Sequence, residues 1–599
     1  MVDGYLNSFV FSNMTHYIFQ PAIGGFYDGL QYAHKDLVSA REPWAGYVRY
    51  DEALYMTAHF TQFSKSGWAA DEDNSNGIWL GIPQASNSYA GDNNKNEHLS
   101  NEAGKPSYMT LAAPDKSDFS VVAVNNSPKK LNYQIKAEDM NLDENQKLEI
   151  WQTKADEYME FKGEVAANSA GMYTVSVDAG AIATFTTLDY HQNDGDRALT
   201  LPEHTSLSDK AVLDTDEDGK MGEGCTGVTD NTILYADDFE YDEEGTVTVN
   251  TANGPEQQDY LSSRGNEPRY MMDTHGAWVV EKEDDGNQRL GQILPAAVSE
   301  WNGGDPETIV GDYRWMNYKA SVDVQADNGY ALLGIRQQTG MNSDNSGYNL
   351  LIQNGTWKMR KGGSTLLEGS MPEKQGDSCR IALEGRGNAI LAYVDGELAG
   401  SYIDTDKPYL MGRVFLGSAW AETYFDNLKV EKIPGYIPYA TAFYDDHDDE
   451  VQYSNDWRLT GPGNGSADNW YRTTSYNKKS GDSTYVTFDG RGTGFMLVGE
   501  NGGGVKADIY VDGVKKAENA ENNSSSKRYS TIVLDGLASG DHTFKVVVKS
   551  GTLVIDGVYI LGEVLPGGSI EALKLWRPNV KRTGRQTIPP TTGKSSQMR

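Results

Sequence analysis

Short stretches in which apolar and polar residues alternate, separated by turns, recur along this 599-residue chain. Five follow one another between residues 107 and 188, among them FSVVAVNN, LNYQIKAED and KLEIWQTK. Alternation puts the apolar side chains on one face of a strand, as in antiparallel sheets packed on one side. Two Asp-Gly pairs, in YVDGE (393–397) and YVDGV (510–514), predict tight hairpins. The pattern predicts a mainly β protein built from sandwiches and jelly rolls, with turns supplied by 64 glycines.

The charge balance excludes several classes of function. With 86 acidic and 52 basic residues, the formal net charge is −34. Such a surface repels phosphate backbones and anionic lipids, so we expect no nucleic acid partner and no membrane binding. The chain start lacks signal-peptide features, yet the composition is typical of extracellular proteins, so we expect a secreted protein whose beginning is missing. Cys225 and Cys379 permit one bridge at most, and two free thiols are favoured.

One segment combines several unusual motifs. In residues 41–68, an E-P-W-x-G-Y loop precedes the strand-like ALYMTAHF, which is followed by T-Q-F and G-W. Together these motifs resemble the last strand and final barrel loop of the family 59 glycoside hydrolases, the galactocerebrosidase-like enzymes. The resemblance continues in order through residues 107–188, which are similar to the β-sandwich of that family. It then extends through 235–431, similar to the family's lectin domain.

On this resemblance we predict six regions. They are a (β/α)₈ barrel remnant at 1–68, a β-sandwich at 69–190, an acidic linker at 191–231, a concanavalin-like lectin jelly roll at 232–433, a galactose-binding-like jelly roll at 434–564 and a disordered basic tail at 565–599. Separated from the rest of a barrel, the strand at 53–60 would expose unpaired edges. We therefore expect fast hydrogen exchange in the first region.

The resemblance also implies a reaction, the retaining hydrolysis of terminal β-galactosides in glycans or glycolipids. Retention requires an acid/base carboxyl and a nucleophilic carboxylate. In the family these project from barrel strands four and seven, and neither has a counterpart in this chain. We therefore predict no catalytic residues and expect binding without cleavage. The alternatives are a calcium-dependent lectin-like protein and one chain of a two-chain glycosidase, whose partner is a separate barrel polypeptide.

Several side chains are candidates for sugar contact, because aromatic faces stack on sugar rings and polar groups fix their orientation. The candidates are Glu42, Trp44, Trp301, Trp470 and Tyr471. By resemblance, Trp301 corresponds to a tryptophan over the family's galactose pocket. Burial in a core is the competing interpretation for each tryptophan. For Trp315 and His59, a place in the core is the favoured one.

Acidic residues at both ends of the lectin-like region predict a metal site. Asp-Asp-Phe opens this region and Phe-Asp-Asn closes it, so its first and last strands are expected to be neighbours. Calcium takes about 6–8 oxygen ligands. The resemblance places a structural calcium at this junction, on Asp238, Glu240 and Asp426. A solvated, capped turn is the alternative. The D-x-D-x-D-G run at 214–219 is interpreted as an acidic linker in preference to a weak calcium turn.

Overall fold

A computed structural model describes the following residues: 2–14, 22–24, 36–40, 49–50, 52–64, 79–88, 107–154, 157–191, 233–298, 304–312, 314–326, 328–337, 347–371, 378–404, 408–433, 440–460, 469, 473–500, 503–521, 530–562 and 581–587. The chain divides into two compact units. The first comprises Met1–Gly24, Lys35–Ser39 and Val48–Thr205, and the second is chiefly Ser206–Arg599. Within the described ranges, no helix has the length and apolar character needed to cross a membrane.

The first unit contains two helices and a β-sandwich. Its helices are α1 (Val2–Ser12) and α2 (Glu52–Thr61). Its strands are β1 (Ile23–Gly24), β2 (Val38–Ser39), β3 (Arg49–Tyr50), β4 (Leu80–Gly81), β5 (Ser107–Ala112), β6 (Phe119–Asn125), β7 (Leu131–Lys136), β8 (Lys147–Lys154), β9 (Glu157–Ala166), β10 (Met172–Val177) and β11 (Ala181–Thr186). One 3₁₀ turn, Pro83–Ala85, lies between β4 and β5.

Two sheets of unequal width form this sandwich. The larger has the order β4-β5-β6-β11-β8-β9, and the smaller consists of β10 and β7 alone. Strands β6 and β11 are buried on both faces, because the two-stranded sheet covers one face and helices cover the other. The β-sandwich expected at 107–188 is therefore present.

Helices α1 and α2 pack on the outer face of the six-stranded sheet. Leu6 of α1 lies against Val122 and Ile182, while Tyr55 of α2 packs with Trp151 and Met159. The strand predicted at 53–60 is wrong, because these residues form α2. An apolar run such as LYMTAHF suits either element, and here the buried residues recur at helical spacing. The face of α2 that carries Tyr55, Ala58 and His59 is therefore covered.

The lectin-like part of the second unit is a two-layer jelly roll. Its strands are β12 (Ile233–Asp237), β13 (Thr246–Thr251), β14 (Gly254–Asp259), β15 (Met271–His275), β16 (Trp278–Lys282), β17 (Gln288–Gln292), β18 (Glu307–Val310), β19 (Tyr318–Ala326), β20 (Ala331–Gln337), β21 (Tyr348–Gln353), β22 (Thr356–Lys361), β23 (Ser364–Ser370), β24 (Cys379–Arg386), β25 (Ala389–Val394), β26 (Glu397–Ile403), β27 (Arg413–Ser418) and β28 (Thr423–Lys432). A 3₁₀ turn at Tyr241–Glu244 and the short helix α3 (Tyr260–Ser263) flank the β13–β14 hairpin.

Two large sheets enclose its core. One has the order β15-β18-β27-β20-β21-β22-β23, and the other has β16-β17-β28-β19-β24-β25-β26, with β12 also pairing with β28. Trp315 is fully buried between them, so its predicted place in the core is confirmed. Asp395 and Gly396 adopt φ values of 48° and 82° between β25 and β26. The two-residue turn needs positive φ at both positions, so the Asp-Gly hairpin prediction is confirmed here.

The C-terminal jelly roll completes the second unit. Its strands are β29 (Ala440–Asp445), β30 (Gln452–Tyr453), β31 (Trp457–Thr460), β32 (Thr474–Asn477), β33 (Tyr485–Gly492), β34 (Gly494–Gly499), β35 (Lys506–Val511), β36 (Val514–Ala520), β37 (Ser530–Leu534), β38 (Gly540–Ser550), β39 (Val554–Ile555), β40 (Gly557–Leu561) and β41 (Lys581–Thr587). They form sheets ordered β29-β40-β34-β37, β30-β33-β38-β35-β36-β41 and β31-β32-β39.

Part of the predicted disordered tail is ordered. Residues 581–587 form β41, an edge strand antiparallel to β36, with Lys581 opposite Glu518. This stretch differs from the disordered tail expected here, because β36 offers an edge with which another strand can pair. The other tail residues lie outside the described ranges.

Candidate carbohydrate and metal sites

The predicted sugar-contacting residues, Glu42, Trp44, Trp301, Trp470 and Tyr471, all lie outside the described residues. Two residues close to Trp470 in the sequence, Trp457 and Asn469, are described. Trp457 is buried in the core of the C-terminal jelly roll, with its ring 4.8 Å from that of Tyr453. Asn469, the neighbour of Trp470, is also buried. Trp457 is therefore a core residue of this jelly roll.

The first and last strands of the lectin-like jelly roll meet as predicted. Strand β12 pairs antiparallel with β28, and Asp237 lies opposite Leu428. This register brings the loop after β12 to the same end as Asp426. Glu240 Oε1 accepts a hydrogen bond of 2.9 Å from the backbone N–H of Gln288. Asn287 Nδ2 donates a hydrogen bond of 3.3 Å to Asp426 Oδ2. Glu240 and Asp426 thus converge on the turn before β17.

Asp238 has a different role from these two carboxylates. Its Oδ1 accepts a 3.1 Å hydrogen bond from the Glu240 amide, which closes the turn on itself. The preceding Asp237 is buried, and the hydroxyls of Tyr235 and Tyr241 donate to its Oδ2 at 3.0 and 2.6 Å. Burial raises the pKa of Asp237 to about 6, although these bonds and Arg269 oppose the rise. Asp237 and Asp238 therefore stabilise the turn at the start of the jelly roll through these hydrogen bonds.

Negative charge accumulates at Asp426. Burial raises its pKa, and the nearby carboxylates of Asp323 and Glu240 raise it further, while hydrogen bonds from Asn287 and Asn427 oppose the rise. Across the described residues, however, no three acidic, histidine or cysteine side chains are grouped so as to hold a metal ion. The calcium site on Asp238, Glu240 and Asp426 therefore stays a prediction. Glu240 and Asp426 alone fit as a pair of oxygen donors.

His59 lies in the first unit, inside α2. It is fully buried, and its Nδ1 and Nε2 atoms hydrogen-bond with the hydroxyls of Thr184 and Thr153 at 2.8 and 2.9 Å. Burial lowers its pKa to about 3, so the imidazole is neutral near pH 7. The prediction of a core histidine with satisfied hydrogen bonds is confirmed, although it lies in a helix and not in a strand.

A buried group of carboxyls was not predicted. Asp445, Asp446, Asp448 and Asp556 are at most 6% exposed in the C-terminal jelly roll. Thr473 and Ser475 donate hydrogen bonds to Asp446 at 2.8 and 2.6 Å. The D-D-H-D-D run at 445–449 was visible in the sequence, but such a run resembles a solvated turn. Only the fold shows that three of its members are inside.

Burial has a clear electrostatic consequence for this group. It raises the pKa values of Asp445 and Asp446 well above normal, and each neighbouring carboxyl adds to the rise. The imidazole of His447 lies beside this group, with its Nε2 3.5 Å from Asp446 Oδ2. An isolated carboxylate is costly to bury. The fold therefore favours the neutral form of Asp445 and Asp446 over the charged form.

A sandwich followed by two jelly rolls defines a class of multi-module β proteins, and comparison with known proteins narrows it. Residues 1–62 match the sequence profile of glycosyl hydrolase family 59. Galactocerebrosidase from Danio rerio is 36% identical over 61 residues, which are 10% of this chain and 9% of the relative. The Salmo salar enzyme is 26% identical over 182 residues, 29% of this chain and 25% of the relative. The chain thus spans a quarter or less of these relatives.

Solved structures with similar parts are more distant. A carbohydrate-binding module from Bacillus subtilis is 17% identical and covers 27% of this chain and 96% of its own, with a TM-score of 0.22. A galectin from Caenorhabditis elegans is 11% identical and covers 22% and 99%, with a TM-score of 0.17. At these scores neither likeness carries a conclusion about function.

Proposed function

We propose that this chain forms the carbohydrate-binding part of a secreted glycoside hydrolase that acts on terminal β-galactosides of glycans or glycolipids. The similarity of residues 1–62 to glycosyl hydrolase family 59 carries the proposal. The similarity over 182 residues to a galactocerebrosidase supports it, since that match is too long for the N-terminal segment alone. The acidic surface, with a net charge of −34, favours a neutral sugar over a phosphorylated ligand.

Binding and turnover can be measured separately on the purified chain. We expect methyl β-galactoside to bind more tightly than methyl β-glucoside in calorimetric titration, and an aryl β-galactoside to stay intact. Trp301→Ala and Trp470→Ala should each weaken binding by about three- to tenfold, the worth of a lost stacking contact. Trp457→Phe is the matched control, because Trp457 is in the core. Equal affinity for both sugars would overturn the proposal, and turnover abolished by Glu42→Gln would disprove the binding-only role.

We also propose that calcium binds between Glu240 and Asp426. The support is that both side chains converge on the turn before β17, where burial and then the nearby carboxylates of Asp323 and Glu240 raise the pKa of Asp426. A cation bound there would relieve the repulsion between these carboxylates. A ligand present at a hundredfold excess over its Kd adds about 2.7 kcal/mol to stability. Calcium should therefore raise the melting temperature over that in chelator, and Asp426→Asn should abolish the difference. Asp284→Asn, an exposed acid nearby, is the control. Identical melts with calcium and chelator would refute the site.

The two-chain alternative makes a separate prediction. If a barrel polypeptide completes the enzyme, then adding it to this chain should produce β-galactosidase activity that neither polypeptide has alone. A non-catalytic lectin would bind galactosides equally well with and without the added polypeptide. A mixing experiment with an aryl β-galactoside distinguishes the two.

A further inference from the structure

The unequal sheets of the sandwich leave a cavity in the first unit. Strand β10 packs over β6, β8, β9 and β11, whereas β7 forms the outer edge of the two-stranded sheet. Strand β7 lies across from β4 and β5, and the two sides leave a gap between them although the rings of Tyr133 and Tyr108 meet. A cavity of about 600 Å³ occupies this space. Ligand pockets commonly measure about 300–1,000 Å³, so this one has the volume to admit a small organic molecule.

The wall of the cavity is largely apolar. Its main contributors are Ile82, Tyr108, Phe119, Ile135, Met140 and Phe185. Polar and charged side chains, including Lys116, Asn132 and Glu138, also line it and are exposed to solvent. An apolar interior with a polar opening matches an amphiphile, whose chain enters and whose head group stays in water. It does not match a sugar, which needs many buried hydrogen-bonding partners.

One polar atom in this wall lacks a partner. The Tyr133 hydroxyl is buried and makes no hydrogen bond within the described part of the protein. Its ring lies edge-on to that of Tyr108, with centroids 6.0 Å apart. Burial raises the pKa of Tyr133 to about 12, so the hydroxyl keeps its proton and can donate it. Leaving such a group unsatisfied costs about 1–3 kcal/mol, and a ligand acceptor would recover part of this cost.

We propose that this cavity binds the single aliphatic chain of an amphiphile, with Tyr133 donating a hydrogen bond to an oxygen at the start of the chain. The inference is independent of the proposed glycosidase function, since it concerns residues of the sandwich alone. Both fatty acids and neutral lipids present this chemistry.

Fluorescence of cis-parinaric acid, a polyene fatty acid, tests the proposal on the full chain. We expect saturable binding, and displacement of the probe by decanol, whose head is neutral. Ala112→Leu places extra atoms in the cavity and should weaken binding by about tenfold or more, without lowering the melting temperature. If decanol displaces the probe, an aliphatic chain with one neutral oxygen is sufficient for binding. If probe binding is unchanged by decanol, the two ligands do not share the site and the proposal is overturned. Absence of probe binding, or binding unaffected by Ala112→Leu, would also overturn it.

A pair of tyrosine variants isolates the hydrogen bond. Tyr133→Phe should weaken the binding of decanol by about three- to tenfold and leave the binding of decane unchanged. The variant should be at least as stable as the unaltered protein, because no internal hydrogen bond is lost. Tyr173→Phe is the matched control, because its hydroxyl donates to the Gln146 carbonyl at 2.9 Å outside the cavity. It should lower stability and leave decanol binding unchanged. Equal effects of the two variants on decanol binding would contradict the proposal. Neither variant should change galactoside binding.

Discussion

At the scale of single residues, the buried acids make stability depend on pH. Asp445 and Asp446 hold their protons more tightly in the folded state, because burial and neighbouring acids raise their pKa values. Their contribution is therefore fully present below the unfolded pKa of about 3.9 and is lost as the pH rises through the folded values. We expect the unfolding transition that includes the C-terminal jelly roll to lie at a lower temperature at pH 8 than at pH 5, with chelator present throughout.

The neutral isosteres test this assignment. Replacing Asp445 and Asp446 together with Asn removes the ionisation, so the melting temperature of the double variant should vary less with pH. The neighbouring carboxyls of Asp448 and Asp556 remain in place in this variant. Asp449→Asn is the control, since Asp449 is exposed. A pH profile that the double variant leaves unchanged would show that other groups are responsible.

His59 titrates with the opposite sign. Its folded pKa of about 3 lies below the ordinary value, so its contribution to stability is present above pH 6.5 and is lost as the pH falls toward 3. His59→Phe keeps the bulk but leaves Thr153 and Thr184 without their ring partner. We expect a loss of about 1–3 kcal/mol in the free energy of unfolding of the first unit, measured with urea. A smaller dependence on acid pH in the variant would accompany it.

At the scale of elements, α2 is the clearest difference from the sequence-based expectation. Tyr55 is 2% exposed and packs on Tyr158 with ring centroids 4.6 Å apart. We now expect slow hydrogen exchange across 52–61, where an unpaired barrel strand would exchange quickly. Tyr55→Ala should destabilise the first unit by about 3–5 kcal/mol. Thr61→Ala, at an exposed site on the same helix, is the control. Fast exchange across α2 in the intact chain would contradict this packing.

The elements that the sequence predicts well are those whose local chemistry determines them. Alternation predicts the strands of the sandwich, and the two Asp-Gly pairs predict the hairpins at 395–396 and 512–513. Alternation says nothing about how many strands face one another, so the unequal sheets and their cavity could not be foreseen. The burial of Asp556 beside Asp446 likewise depends on a contact between residues 110 positions apart, which no local pattern encodes.

At the scale of the whole molecule, the two jelly rolls of the second unit share an apolar cluster. Met316 and Met411 of the lectin-like part pack with C-terminal residues that include Phe443, Met496 and Tyr559. The rings of Phe443 and Tyr559 lie 4.8 Å apart. Charges of Asp312 and Arg413 also act on the Tyr559 hydroxyl, across the same boundary. Both jelly rolls belong to one compact unit, so neither covers this surface alone.

This shared cluster predicts that the two jelly rolls unfold together. If either jelly roll unfolds, the apolar surface that it covers on the other is exposed to water. The two are therefore expected to unfold in one cooperative transition. Phe443→Ala removes a buried ring from the boundary, at a cost of about 3–5 kcal/mol, and should divide the calorimetric transition into two. Phe488→Ala is the matched control, because Phe488 lies in the C-terminal core. Phe488→Ala should lower the melting temperature, and the transition should stay single. If the two jelly rolls of the unaltered chain unfolded in two separate transitions, the cluster would not couple them.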